Sequence, residues 1–325
     1  MTKNLNWGII GLGNIAHSFA TYFDQPFGDI YAAGSRDLEK AQTFANEFNI
    51  PHAYGSYEDL LADNKIDIVY IATPHNYHIE TILAALNAGK HVLSEKAITM
   101  TSAELKRATD LAEEKGLILQ EAMTVYHMPL YQKIIEIAEE NKLGKLKMVQ
   151  ASFGSFKEPD PTNRFFNPNL AGGALLDIGV YALSFVRQFM TATPEITGSA
   201  MNLFESGVDE SETISLRNAN DEMANVSLTF RAKMPKMGIV AYEGGYFTVY
   251  DYPRANKATL VFTDGSVKEI IAGHSKQAMN YEIKDVQDMV SGELDPKPFL
   301  EKTVDVMSIM TQAREQWNYK YPFEK

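Results

Sequence analysis

The stretch GGALLDIGVYAL, residues 172–183, sets one carboxylate and one phenol into an otherwise apolar helical pattern. Asp177 and Tyr181 lie four residues apart, so an α-helix projects both from one face, close enough to act on the same small molecule. Such a pair suits proton transfer at a hydroxyl. A buried tyrosine whose hydroxyl needs a partner would use the same two residues.

A second constellation opens the chain. In WGIIGLGNIA an apolar strand runs straight into Gly11-x-Gly13-x-x-Ala16. The first glycine permits a tight turn, the second lets the backbone approach a pyrophosphate, and the small third residue lets a helix pack close to the sheet. The helix start at Asn14 and Ile15 then points free N–H groups at the anion. An ordinary strand-to-helix turn is the alternative, but the surrounding strand–helix–strand order favours a dinucleotide. An NAD site usually places Asp or Glu at the end of the second strand, for the ribose hydroxyl. Here Gly34 is followed by Ser35 and Arg36, whose hydroxyl and guanidinium suit a 2′-phosphate, so NADP(H) is expected in preference to NAD(H). The competing reading pairs Arg36 with Asp37 or Glu39 on the surface.

Two further loops fall at strand carboxyl ends, where ligands bind in open α/β sheets. TPHNYH, residues 73–78, offers His75 and His78, but with no third ligand near them a metal is not expected. In HVLSEKAIT, Glu95 and Lys96 directly follow a buried strand; they are a solvated turn or a functional pair, and their place at the ligand edge favours the second.

The elements that must hold these residues divide the chain in two. Through residue 121, short apolar runs at Trp7–Ile10, Ile30–Ala33, Ile66–Ala72, His91–Leu93 and Leu117–Leu119 alternate with helical patterns, two of which close at Gly89 and Gly116. This is the pattern of a doubly wound parallel sheet, a dinucleotide-binding Rossmann domain over residues 1–121. Residues 122–325 change rhythm. A helix over Pro129–Asn141 and the opening helix around Asp177 are followed by successive strands from Pro194 to Ile271, then helices over Glu282–Ser291 and Lys302–Trp317. An α+β domain on a largely antiparallel sheet is expected. The aromatics from Tyr242 to Tyr252 alternate as one sheet face would.

The 325 residues are 45% hydrophobic, enough for two cores. A net charge of −12 argues against a nucleic-acid or anionic-membrane partner, and the absence of cysteine excludes thiolate chemistry and disulfides. No run of about 18 apolar residues is evident. A cytoplasmic protein is expected.

Taken in order and spacing, GIIGLGNIA, ATPHNYH, AGKHVLSEKAIT and LAGGALLDIGVY resemble the glucose-fructose oxidoreductase, inositol dehydrogenase and MocA family over essentially the whole chain. The resemblance implies a Rossmann domain with an open-faced sheet domain, NAD(P)-dependent redox chemistry on sugars, polyols or diols, and homo-oligomers formed through the sheet. It implies that Thr73, Pro74, Asn76 and His78 pass along the cofactor, and that Glu95 and Lys96 match a Glu-Lys-Pro motif whose lysine is catalytic; Ala97 stands at the proline position. Asp177 matches the family aspartate. Tyr181 stands where many members carry histidine, as in the tyrosine-using branch, which commonly employs NADP.

The implied chemistry is hydride transfer with Tyr181 as acid/base. A free phenol titrates near about 10, and a neighbouring ammonium, Lys96, would bring it toward working pH while Asp177 orients Lys96 or the substrate. Gly172 and Gly173 are expected to let the backbone approach a ligand, and Tyr126, His127 and Arg164 are candidate substrate contacts. Two other readings stay open: a nicotinamide-dependent glycosidase, and a non-catalytic sugar or cofactor sensor.

Overall fold

The computed structural model describes residues 4–24 and 28–324. The chain forms two compact units: one of residues up to Ala122 together with Met279–Glu301, the other of Met123–Ala278 together with residues from Lys302 onward.

In the first unit six parallel strands, β1 (Asn6–Ile10), β2 (Asp29–Gly34), β3 (His52–Tyr54), β4 (Ile68–Ile71), β5 (His91–Glu95) and β6 (Leu119–Ala122), stand in the order β3-β2-β1-β4-β5-β6. Helices α1 (Asn14–Tyr22), α2 (Leu38–Phe48), α3 (Tyr57–Ala62), α4 (His78–Asn87) and α5 (Ser102–Lys115) make the connections. Every residue of β4 is fully buried, which is why the strand reads as a continuous apolar run. Strand order reverses between β1 and β4, so the loops after those two strands flank the crevice in which such sheets bind ligands. Strand β3 is not evident in the sequence; its three residues are half-buried and form no apolar run.

The second unit carries α6 (Pro129–Glu140), α7 (Val180–Phe189) and eight strands: β7 (Leu146–Gly154), β8 (Glu195–Leu203), β9 (Asp209–Arg217), β10 (Met223–Thr229), β11 (Met234–Tyr242), β12 (Gly245–Tyr250), β13 (Lys257–Phe262) and β14 (Val267–Ile271). Their order is β14-β13-β12-β11-β7-β10-β9-β8, antiparallel except where β7 meets β10. One face packs against α7: a Cβ on Gly238 of β11 would run into the Phe185 ring, and one on Gly179 would meet Leu228 of β10. The other face is open. In β12, Phe247 and Val249 are buried while Tyr246 and Tyr250 are exposed, so the aromatic run divides between the two faces.

Two expectations need correction. The helix after the strands, α8 (Ala278–Val290), does not belong to the unit of the preceding sheet. Its stripe Met279, Ile283 and Val286 is buried in the cluster that holds Trp7, Phe19, Phe44 and Tyr70, and Asn280 exchanges hydrogen bonds with Asp24. A division at residue 122 alone therefore misplaces Met279–Glu301. Secondly, the helical run Pro168–Phe189 is apolar and long enough to cross a membrane by length and composition alone, contrary to the reading that no such run exists. Its most apolar stretch is 78% buried inside the protein, which makes it a core helix.

Truncating Ile283 to alanine should destabilise the first unit by about 2–5 kcal/mol, the cost of a large-to-small change in a packed core. Urea unfolding followed by circular dichroism reads this; a loss under about 1 kcal/mol would place α8 outside that core.

Candidate active site

The turn after β1 is built for close approach. Gly11 sits at φ +90, and a Cβ there would lie 2.7 Å from the Ala72 carbonyl carbon at the end of β4. Gly13, by contrast, faces open space. It precedes α1 as its cap residue and supplies no side chain to the first-turn N–H groups at Asn14, Ile15 and Ala16. Ala16 is fully buried in the core cluster, with Ile15 packed beside it. At the facing loop after β4, Thr73 Oγ1 and Asn76 Oδ1 are buried with no hydrogen-bond partner among the described residues. Buried polar atoms without partners are rare and costly. An uncapped helix start, an open glycine and two orphaned oxygens at the switch point fit a dinucleotide.

At the end of β2, Ser35 is buried and its Oγ accepts the Asp37 N–H at 3.3 Å. The Asp37 carboxylate caps α2, accepting from the Glu39 and Lys40 N–H groups, and Arg36 forms no ion pair among the described residues. The guanidinium is exposed, 5.7 Å from the Tyr77 ring centroid. The surface-pairing alternative for Arg36 is thus not what the structure shows.

The histidines of the 73–78 loop serve the backbone. His78 is fully buried, with Nδ1 2.9 Å from the Ala97 carbonyl and Nε2 2.7 Å from that of Thr73; His75 Nε2 lies 3.1 Å from the Lys96 carbonyl. Burial pushes the His78 pKa down, against the pull of those carbonyls. Both ring nitrogens face backbone carbonyls rather than open space, so the expected direct contact of His78 with a ligand is corrected: the ring sits between the Thr73 carbonyl of the loop after β4 and the Ala97 carbonyl of the loop after β5. Pro74, beside it, is exposed.

In the second tied loop Glu95 is nearly buried. Its carboxylate accepts from the Tyr70 hydroxyl at 2.5 Å and from the Lys96 N–H at 3.3 Å, and Tyr70 itself stacks on Phe19. Glu95 thereby positions the backbone of Lys96, whose side chain is half-buried; the Lys96–Ala97 peptide is cis. Tyr70 had no mark in the sequence beyond being apolar in a strand.

In the second unit residues Leu175–Gly179 form a π-helical turn that continues into α7. From Ala171 to Val186 every residue is buried except Asp177 and Tyr181. Arg164 Nη2 lies 3.5 Å from Asp177 Oδ1, and its guanidinium covers the Phe165 ring. The structure thus brings Arg164, Asp177 and Tyr181 to one side of the unit. Tyr126 and His127 lie on and just after a short 3₁₀ turn that packs against α7; both are buried, Tyr126 beneath the Lys302 ammonium.

The glycine expectation also changes. A Cβ on Gly173, at φ +126, would collide with the Asp209 carboxylate, and one on Gly172 would meet the Arg164 and Phe165 carbonyls at 2.8 Å. Internal packing requires both glycines. A separate cavity of about 970 Å³ in this unit is lined by Glu139, Arg187, Glu222, Tyr242 and Lys302, and there burial and then Arg187 push the Lys302 pKa down to about 8. It lies toward the far end of α7 from Tyr181, around Arg187, Gln188 and Phe189.

Comparison with known proteins agrees with this architecture. Residues 5–123 match the family model described as "Oxidoreductase family, NAD-binding Rossmann fold", and residues 131–270 match the "GFO/IDH/MocA C-terminal domain". The trans-1,2-dihydrobenzene-1,2-diol dehydrogenase of Xenopus laevis is 32% identical over 97% of this chain and 99% of its own length, and that of Mus musculus is 30% identical over 99% of both. Among solved structures, a 3-ketoreductase from Actinomadura kijaniata in complex with NADP and TDP-benzene superposes with a TM-score of 0.84 at 24% identity, covering 96% of this chain and 98% of that one. Levoglucosan dehydrogenase, in complex with NADH and levoglucosan, gives 0.83 at 21%, covering 97% and 98%. With full-length relatives, both domain models and a dinucleotide turn in place, the chain belongs to the glucose-fructose oxidoreductase, inositol dehydrogenase and MocA family of NAD(P)-binding oxidoreductases.

Proposed function

We propose that this chain is an NADP-dependent dehydrogenase or reductase acting on a sugar, polyol or vicinal diol, with Tyr181 as acid/base. The observation that carries the reading is the α7 surface: sixteen residues from Ala171 to Val186 that expose only Asp177 and Tyr181. A core helix has no need of two polar openings on one face. When bound, the dinucleotide supplies a nicotinamide that takes or gives the hydride. The turn Gly11–Ala16, Thr73 and Asn76 would hold it. Tyr181 takes the hydroxyl proton in oxidation and returns it in reduction. Lys96, carried on a loop fixed by Glu95, His75 and His78, assists by favouring the phenolate. Asp177 and Arg164 supply a carboxylate and a guanidinium suited to substrate hydroxyls. The diol named for the relatives in Xenopus and mouse supports the substrate class.

For the cofactor, Ser35 and Arg36 stand at the end of β2 with no carboxylate directed at the ribose, because Asp37 caps α2. The 2′-phosphate of NADP suits that pair. We also propose a homo-oligomer formed through the open sheet. Met223, Met148, Ala241, Tyr246, Val261 and Val267 pair successively across six strands, an apolar row on the uncovered face. Rows of this kind are ordinarily covered.

Three expected outcomes follow. Mixed with NADP and a panel of aldoses, inositols and cyclic diols, the protein should change nicotinamide absorbance with at least one compound; tight NADPH binding with no turnover on any would point to a sensor. Arg36→Ala should weaken NADPH binding about tenfold, the scale of a lost charge-assisted contact, and leave NADH binding unchanged. An unchanged NADPH dissociation constant would remove the proposed preference. Tyr246→Glu should shift the sedimentation coefficient toward the monomer; an unaltered distribution would exclude assembly through that row.

A further inference from the structure

The residues that aim the α7 surface lie behind it. Asp209, at the start of β9, is 1% exposed, and its Oδ2 accepts the Leu175 N–H at 2.6 Å. Leu175 is the first residue of the π turn, two positions before Asp177 and six before Tyr181. The same carboxylate fills the space that a side chain on Gly173 would need, so the backbone lies directly against it. Glu212, 3% exposed, is a second buried carboxyl near Asp209, and neither of its oxygens has a hydrogen-bond partner among the described residues. Burial pushes both carboxyls up, Glu212 well above its ordinary range. Arg314, also buried, adds a favourable charge toward Asp209.

A second grip comes from the end of the chain. The buried Tyr321 hydroxyl donates to the Gly172 carbonyl at 2.7 Å. Tyr321 is held in turn: its N–H donates to Glu324 at 2.7 Å, Glu324 pairs with Arg314, and the Arg314 guanidinium lies 4.8 Å from the Tyr321 ring centroid. Residues 172–175 are thus fixed at Gly172 by Tyr321 and at Leu175 by Asp209.

We propose that Asp209 and Tyr321 are positioning residues of the active site: together they clamp the Gly172–Leu175 link and set the rotation at which the π turn presents Asp177 and Tyr181. This rests on the assignment of Tyr181 given above. Asp209 and Tyr321 are buried in the second unit, whereas the dinucleotide turn belongs to the first, so loss of the clamp should lower turnover and spare cofactor binding. A residue that merely stabilises the fold would not separate the two.

The test uses the full-length protein and the substrate found in the panel, with Asp209→Ala, Asp209→Asn and Tyr321→Phe. Asp209→Ala should lower kcat at least tenfold with NADPH affinity within about twofold of the parent, Asp209→Asn, which keeps an acceptor for Leu175, should recover most of that loss, and Tyr321→Phe should lower kcat severalfold. Hydrogen exchange at the amides of residues 175–181 should quicken in Asp209→Ala and Tyr321→Phe. The exchange readout does not depend on which residue is the acid/base, so failure of the Tyr181 assignment would leave it standing. If Asp209→Ala does not fold, Tyr321→Phe decides alone. Parent-like kcat together with parent-like exchange, or NADPH affinity falling in step with kcat, would overturn the clamp.

Discussion

A helix buried on every side but one cannot turn far. Between Ala171 and Val186 fourteen of sixteen residues are buried, and rotating the segment would drive Leu176, Val180, Leu183 or Phe185 toward water. Each buried methylene exposed costs roughly 0.8 kcal/mol, so even a small rotation is opposed by several kcal/mol. Apolar packing therefore restricts the directions open to Asp177 and Tyr181, and the polar contacts of Asp209 and Tyr321 with Leu175 and Gly172 act within that range. The π turn refines it: with more than four residues per turn, a four-residue step falls just short of a full turn, where an α-helix overshoots. Insertions of this kind recur at functional sites, and the surrounding core determines which side chains they present.

The first unit works through backbone geometry. Gly11 and Ala72 approach closely where the strand order reverses, Gly13 is left open, and the helix that follows carries no side-chain cap. The polar residues nearby act on two levels. Thr73 and Asn76 keep buried oxygens without partners, whereas His78, His75, Glu95 and Tyr70 are spent on holding two loops together. Residue type alone did not distinguish these groups, since all are polar or aromatic residues at the same sheet edge.

What could be read from the sequence was local. Apolar period, helix stops such as Gly116 and the strand-turn-helix glycine spacing are short-range signals, and each corresponds to an element in place. The pairing of Asp177 with Tyr181 was legible for the same reason. Long-range choices were not. The stripe Met279–Ile283–Val286 shows that α8 buries one face but not which core receives it. Gly172 and Gly173 looked permissive toward a ligand, yet their neighbours are the Arg164 and Phe165 carbonyls and Asp209, far away in sequence. Tyr126 and His127 are polar in type and buried in place because the turn that carries them backs onto α7. Such distinctions depend on tertiary neighbours, which no window of sequence contains.

The central claim is that the phenol of Tyr181 carries the proton. The most direct measurement is the turnover of Tyr181→Phe, paired with its NADPH dissociation constant by fluorescence titration. The account predicts a fall in kcat of about 10²–10⁴, the usual contribution of a general acid/base, with cofactor affinity preserved. A variant that keeps most of its turnover would contradict it.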